Sequence, residues 1–328
     1  MRRLCAALPK LAPAFLGALW LSTLAGAAKA QTWPDRPVKI IVAVSAGGSI
    51  DTLTRILADR LGERWKQSVI VENRPGGAGN VGAAMAARAA PDGYTLHMAG
   101  QSLTSNITNV PETAPNPATD FDPIVFVAFG QDVLMVSRDS PYKTVADLVA
   151  AAKARPGQLN FGSLGTSSSA HLATVQFEDL TGVRAEHVPY SNFAQMQTDL
   201  VSGRLSFWLA TLGGVLGAIK GGNIHALAVS GTDRAAQLPD VPTFRQLGID
   251  LVEPSSWYAI MAPKGAPADV IAKVNADANA ILNEPAMVEK LSALGYQLHN
   301  GSPPELASFV RRDVERWRQL AHSPAYKE

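Results

Sequence analysis

Cysteine is nearly absent from this sequence: of 328 residues only Cys5 is one, and it lies close to the N-terminus. No thiol follows residue 30, which excludes disulfides, thiolate metal sites and a cysteine nucleophile there. Charged side chains are scarce, at 17%, and after the first thirty residues no stretch approaches the about 18 uninterrupted apolar residues of a membrane-spanning helix. A surplus of positive charge is missing as well. Four of the 29 basic side chains fall in the first thirty residues, which hold no acid, so the remaining 25 stand against 28 acidic ones, a net of −3. Phosphate binding needs a basic footprint, so nucleic acid is set aside as a partner. The six histidines, at 97, 171, 187, 225, 299 and 322, show no zinc-ligand spacing, so no metal site is expected. No G-x-S-x-G nucleophile elbow is present either.

What is present is apolar. A 47% hydrophobic fraction over this length builds one or two substantial cores. In the first thirty residues Arg2 and Arg3 precede the apolar stretch Leu11 to Gly26, and Ala28-Lys29-Ala30 is a small-x-small site before Gln31. That order reads as a cleaved export signal, and Pro13 and the short run argue against a membrane anchor.

The rest alternates. Val38 to Val44 is a β-branched run for a strand buried on both faces, and Ile50, Leu53, Leu57, Leu61 and Trp65 recur at helical spacing. Ser68 to Val71 and Thr95 to Ala99 read as strands, with Val81 to Ala89 a helix between them and residues 106–123 a surface loop. Ile124 to Val136 breaks near Gly130-Gln131, which suggests a strand leaving one domain for another. Helices are then expected over Thr144 to Ala154, Leu172 to Leu180 and Phe193 to Val201, and strands over Leu159 to Phe161, Glu186 to Pro189, Leu205 to Leu209 and Ala226 to Ser230. Trp257 to Ala262 reads as a return strand, followed only by helices over Ala268 to Leu282, Glu284 to Leu294 and Pro304 to Leu320. The expected class is α/β, with mostly parallel sheets flanked by helices.

Three strand–helix turns are candidate sites. Ser45 to Asp51 offers two glycines and a helix start, with Ser49 as a natural N-cap and Asp51 in the first turn. Gly77-Ala78-Gly79-Asn80-Val81-Gly82 fits G-x-G-x-x-G, but the next strand ends without the acid that a dinucleotide ribose needs. It reads as a packing turn near a cleft. Gly162 to His171 carries five hydroxyls in seven positions at a helix start, a dense donor set for an oxyanion. The first and third turns each read equally as ordinary capped connections. Tyr190, Phe193, Phe207, Trp208 and Trp257 are candidates for a pocket wall or for core. Two such turns, one in each half of an exported chain, would face one another across a cleft at the carboxyl ends of strands. No nucleophile–base–acid set accompanies them, so the pattern reads as a binding protein and not an enzyme.

The chain resembles the tripartite tricarboxylate transporter receptors, the Bug-type solute-binding proteins. The landmarks are Trp33-Pro34-Asp35-Arg36-Pro37-Val38, Gly47-Gly48 with Asp51, Val71-Glu72-Asn73-Arg74-Pro75-Gly76-Gly77, Asp92-Gly93-Tyr94-Thr95-Leu96, Val188-Pro189-Tyr190, Leu238-Pro239-Asp240-Val241-Pro242-Thr243 and Ala262-Pro263-Lys264-Gly265-Ala266-Pro267. The resemblance implies a two-domain clamshell with a ligand cleft between the domains. Domain 1 would comprise residues 31–130 and 257–328, and domain 2 residues 131–256, after a signal over 1–30. It implies a periplasmic monomer that needs no cofactor, captures a small organic carboxylate and hands it to membrane permease subunits. A sensor that presents its ligand to a signalling receptor, and an exported hydrolase, are the alternatives. The ligand-binding residues it implies are Ala46, Gly47, Gly48, Ser49, Asp51, Ser102, Ser163, Thr166, Ser167, Ser168, Ser169, Tyr190, Phe207 and Trp208. Hydroxyls and backbone amides would hold the carboxylate with little use of Arg or Lys, and Arg55 would stand apart from the site. The acid usual beside the Leu205 to Leu209 strand is replaced by Ser206, Phe207 and Trp208, which favours an apolar or aromatic acid.

Overall fold

The computed structural model describes residues 33–109, 111–166, 168–251 and 256–321. The expected export signal and Ser167 lie outside these. The β-branched run forms β1 (Val38–Val42), followed by α1 (Ser49–Trp65), β2 (Val69–Asn73), α2 (Asn80–Ala87) and β3 (Thr95–Gly100). Parallel pairing of β1 with both β2 and β3 buries it on two edges as well as two faces, so its sequence shows no alternation. The apolar stripe Leu53, Leu57, Leu61 and Trp65 is the buried face of α1.

Then come α3 (Ser102–Asn109), β4 (Phe121–Gly130) and β5 (Asp132–Ser137). The helix α3 was not expected, and its end, residues 106–109, runs into the stretch 106–123 read as a loop, because Ser, Thr and Asn are poor helix formers. Tertiary bonds hold it: Leu103 to Asn106 are buried, and the Thr104 hydroxyl lies 2.8 Å from the Gln101 carbonyl and 2.6 Å from the Asp313 carboxylate. Next are α4 (Val145–Ala154), β6 (Asn160–Ser163), α5 (Ser169–Thr181), β7 (Glu186–Pro189), α6 (Phe193–Val201), β8 (Trp208–Thr211), α7 (Leu212–Lys220) and β9 (Ile224–Val229). Thr144 caps α4 through a reciprocal bond pair with Asp147. The chain closes with β10 (Ser256–Pro263), α8 (Ala268–Leu282), α9 (Pro285–Ala293), β11 (Tyr296–Gly301) and α10 (Pro303–Leu320).

One sheet has six strands in the order β11-β4-β10-β3-β1-β2, a second has three in the order β8-β5-β9, and β6 and β7 pair in parallel. A parallel bridge from Phe161 to Phe207 joins the β6–β7 pair to the strand end before β8. The α/β class holds, with two corrections. The sheets are mixed: the pairings of β10 with β3 and β4, of β11 with β4, and of β5 with β8 and β9 are antiparallel. The segment after β10 also contributes a strand, β11, which its alternating Tyr296-Gln297-Leu298-His299 marks on inspection. As expected, α10 packs back on the six-stranded sheet: Leu306 and Val310 share a core with Ile41, Phe126 and Trp257. Only Gln131 separates β4 from β5, so one nearly continuous strand passes from the first sheet to the second.

Candidate functional site

A cavity of about 610 Å³ opens between the ends of strands in the two sheets. Six helices among the described residues start on its wall. Gly48 and Ser49 begin α1, Gly79 precedes α2, Ser102 begins α3, Ser168 and Ser169 begin α5, Phe193 begins α6 and Thr211 precedes α7. A helix start presents unpaired N–H groups and the positive end of the peptide dipoles. In α1 and α7 no side chain caps the first turn. By contrast, among the described residues no Lys, Arg, His, Asp or Glu lines the cavity. Helix starts without a cation among them are a setting that favours an anion. Ile50, Leu164, Phe193, Met196, Trp208 and Trp257 supply the apolar part of the wall.

The loop after β1 is held from beneath. Gly47 adopts a φ of +94°, which glycine alone reaches cheaply, and its N–H donates to Asp51 Oδ2 at 3.0 Å. Asp51 also accepts from Arg55 Nε at 3.1 Å and from Asn73 Nδ2 at 2.9 Å. Burial pushes this carboxyl up. The bonds from Arg55, Gly47 and Asn73, with the Arg55 charge, outweigh burial and hold it below its ordinary value. Asp51 is thus a brace for the loop, and Arg55 belongs to that brace rather than standing apart from the site. The N-cap of α1 is Gly48, not Ser49. Ser49 is the first helical residue, and its carbonyl accepts the Tyr296 hydroxyl at 2.7 Å.

The loop after β6 is built similarly. Ser163 is fully buried and its Oγ accepts the Gly165 N–H at 3.1 Å and lies 2.6 Å from His187 Nε2. It shapes the turn from inside. Ser168 caps α5, accepting from the His171 N–H at 3.4 Å, and stands on the cavity wall with Ser169. Thr166 is exposed away from the wall, and Ser167 lies outside the described residues.

Of the residues expected from the sequence, the cavity gathers Gly48, Ser49, Ser102, Ser168, Ser169, Tyr190 and Trp208. Ala46, Gly47, Asp51, Ser163, Thr166 and Phe207 do not line it. Phe207 stacks on Phe161 at 5.9 Å in the core of the second sheet, because its bridge to Phe161 turns it inward while Trp208 faces the cavity. The Tyr190 ring lines the wall, but its hydroxyl donates to Asp199 at 2.8 Å. Burial first, then that carboxylate, pushes the phenol up to about 12.

The Gly-rich turn resolves its own ambiguity. Gly77 and Gly79 have φ of +55° and +97° and line the cavity, while a Cβ on Gly82 would lie 2.7 Å from the Ala43 backbone. The third glycine therefore serves close packing of α2 on the strand end, and the first two shape the wall. The expectation missed Gln101, Thr211, Ser256 and Tyr258. Gln101 was legible, since it directly follows a strand end at which ligands bind. The others depend on how β10 returns between β3 and β4, which no local pattern reports. Thr211 Oγ1 and Ser256 Oγ lie 2.6 Å apart, and burial raises the Tyr258 phenol beside them.

Residues 53–324 match the family model described as tripartite tricarboxylate transporter family receptor. The chain is 33% identical over 306 residues to Protein BugT of Bordetella pertussis, covering 93% of this chain and 94% of that protein. It is similar to the structure of Rpa4515 from R. palustris with adipate, at 32% identity and a TM-score of 0.85, covering 90% of this chain and 98% of that one. It is also similar to MatC from Rhodopseudomonas palustris with bound malate, at 25% identity and a TM-score of 0.83, covering 88% and 100%. With cavity, helix starts and sequence in agreement, the chain belongs to the tripartite tricarboxylate transporter receptor family.

Proposed function

We propose that this protein is a periplasmic receptor that captures a small organic carboxylate and delivers it to the membrane permease of a tripartite tricarboxylate-type transporter. The observation that carries the reading is the cavity onto which six helix starts converge while, among the described residues, no charged side chain lines it. Amides and hydroxyls hold a carboxylate there, with Gly48, Ser49 and Ser102 on one side and Ser168 and Ser169 on the other. The adipate and malate in the titles of two similar structures support this ligand class. A capture role also accounts for a described wall that carries donors, while the Ser163–His187 pair, with Ser163 fully buried, does not line the cavity.

The two sheets belong to two lobes, residues 31–130 with 257–328 and residues 131–256, which close on the ligand about the Gly130 to Asp132 crossover and its partner before β10. Part of that second crossover, residues 252–255, lies outside the described residues. The receptor works as a monomer and releases its ligand unchanged. A thermal-shift screen tests the reading. A ligand bound only by the native state raises stability by about 2.7 kcal/mol at a hundredfold excess over Kd. Free organic acids are expected to raise the unfolding temperature and their amides and methyl esters to leave it unchanged. A response to sugars or amines in place of acids contradicts the assignment.

A further inference from the structure

Two polar side chains on the cavity wall have no hydrogen-bond partner within the protein. Gln101, directly after β3, is 3% exposed, and neither its Oε1 nor its Nε2 is paired. Trp208, at the start of β8, is 1% exposed, and its Nε1–H is likewise unpaired. They come from different sheets, one on each side of the cavity. Other polar groups on the wall are engaged: Tyr190 donates to Asp199, Thr211 and Ser256 bond one another, and Ser168 caps its helix. A buried amide with two donors and an acceptor unused is costly in a folded protein, and one in a ligand cavity finds its partner in the ligand.

We propose that Gln101 and Trp208 recognise the end of the ligand remote from its carboxylate, and that this end is a neutral hydroxyl or carboxamide on an apolar body. The inference rests on the carboxylate reading of the same cavity. A glutamine amide both donates and accepts. A second carboxylate only accepts, so it would leave Oε1 facing a negative charge. A hydroxyl or carboxamide meets both amide atoms and keeps a lone pair for the Trp208 N–H. Among the described residues the wall also carries no cation to neutralise a second carboxylate once it is desolvated. Between the two ends Ile50, Leu164, Phe193 and Met196 present an apolar surface, and the Phe193 and Trp208 rings meet edge to face at 5.1 Å. The Gln101 amide atoms are enclosed as they stand, so on this proposal the side chain turns towards the ligand when it binds.

Calorimetric titration with length-matched acids tests this. The probes are hexanoate, its ω-hydroxy analogue and adipate, and in the aromatic series benzoate, para-hydroxybenzoate and terephthalate. In the series that fits the cavity, the hydroxy acid is expected to bind about tenfold tighter than the acid lacking the hydroxyl and than the diacid. Gln101→Leu removes a buried unpaired amide, so the free protein's unfolding temperature holds or rises. The same change is expected to abolish the hydroxy acid's about tenfold advantage over the plain acid. Trp208→Phe keeps the ring, loses the donor, and weakens the hydroxy acid as well. A diacid that binds tightest, with selectivity unaltered in Gln101→Leu, overturns the proposal while leaving carboxylate binding intact. Hexanamide or benzamide binding as well as the parent acid overturns the carboxylate reading itself, and no response to any acid overturns both.

Discussion

The polar side chains of the loops after β1 and β6 include both groups on the cavity wall, such as Ser49 and Ser169, and braces behind it, such as Asp51 and Ser163. Asp51 is buried and accepts three bonds, and as a carboxylate it can only accept, so it would repel an anion. Ser168 faces the cavity and spends its Oγ acceptor on the helix cap. Ser168→Asp is therefore informative, since aspartate caps a helix as well as serine does. The fold is expected to hold its unfolding temperature while carboxylate affinity drops at least about a hundredfold, because two like charges then share a partly desolvated site. Ser168→Asn, a neutral cap, is expected to lose about tenfold or less. Equal binding by both variants in calorimetry places the anion elsewhere. Histidines set the acid limit. Burial holds His97 at about 4 against the bond between its Nδ1 and the Ile41 carbonyl, and burial with the nearby His187 ring holds His171 at about 4. The unfolded chain protonates both near about 6.5, so the folded state is favoured above that pH and loses stability as pH falls from about 6.5 towards about 4, by at most about 1.4 kcal/mol per pH unit for each. Asp51, held below its ordinary value, gives up its contribution only at still lower pH. Urea midpoints at three pH values above and within that window read the slope, which His97→Gln is expected to flatten. A wild-type midpoint that does not move contradicts the buried neutral imidazoles.

At the scale of elements, local pattern reported what local forces determine. The β-branched β1, the 3.6-residue stripe of α1 and the Thr144 cap of α4 were all legible because burial or a cap fixes each of them nearby. Two helices were not. The Ser/Thr/Asn composition of α3 and the three glycines of α7 both argue against helix, and tertiary contacts override them. In α7, Gly213 and Gly214 lie close against Tyr296 and Ser49, residues distant in the chain. A Cβ on Gly214 would lie 3.0 Å from Ser49 Oγ and 3.1 Å from the Phe193 ring. Gly214→Val improves helix propensity yet obstructs the approach of α7 to α1. Solution scattering is expected to show wild type contracting on saturation with a bound acid and the variant failing to contract, with affinity lowered more than about tenfold by the overpacked contact. Equal contraction in both shows that this contact does not limit closure.

At the scale of the molecule, the site exists because two sheets bring helix starts from distant parts of the chain to one cavity. The donor-rich turns were visible in sequence. The floor supplied by Ser256 and Tyr258 was not, since it follows from the insertion of β10 between β3 and β4. The central claim is that this cation-free cavity holds an organic carboxylate. Mass spectrometry of the small molecule released on denaturing protein purified from the periplasm tests it most directly. The predicted result is a free carboxylic acid in near-equimolar amount, and a sugar, amine or nucleotide recovered in its place contradicts the account.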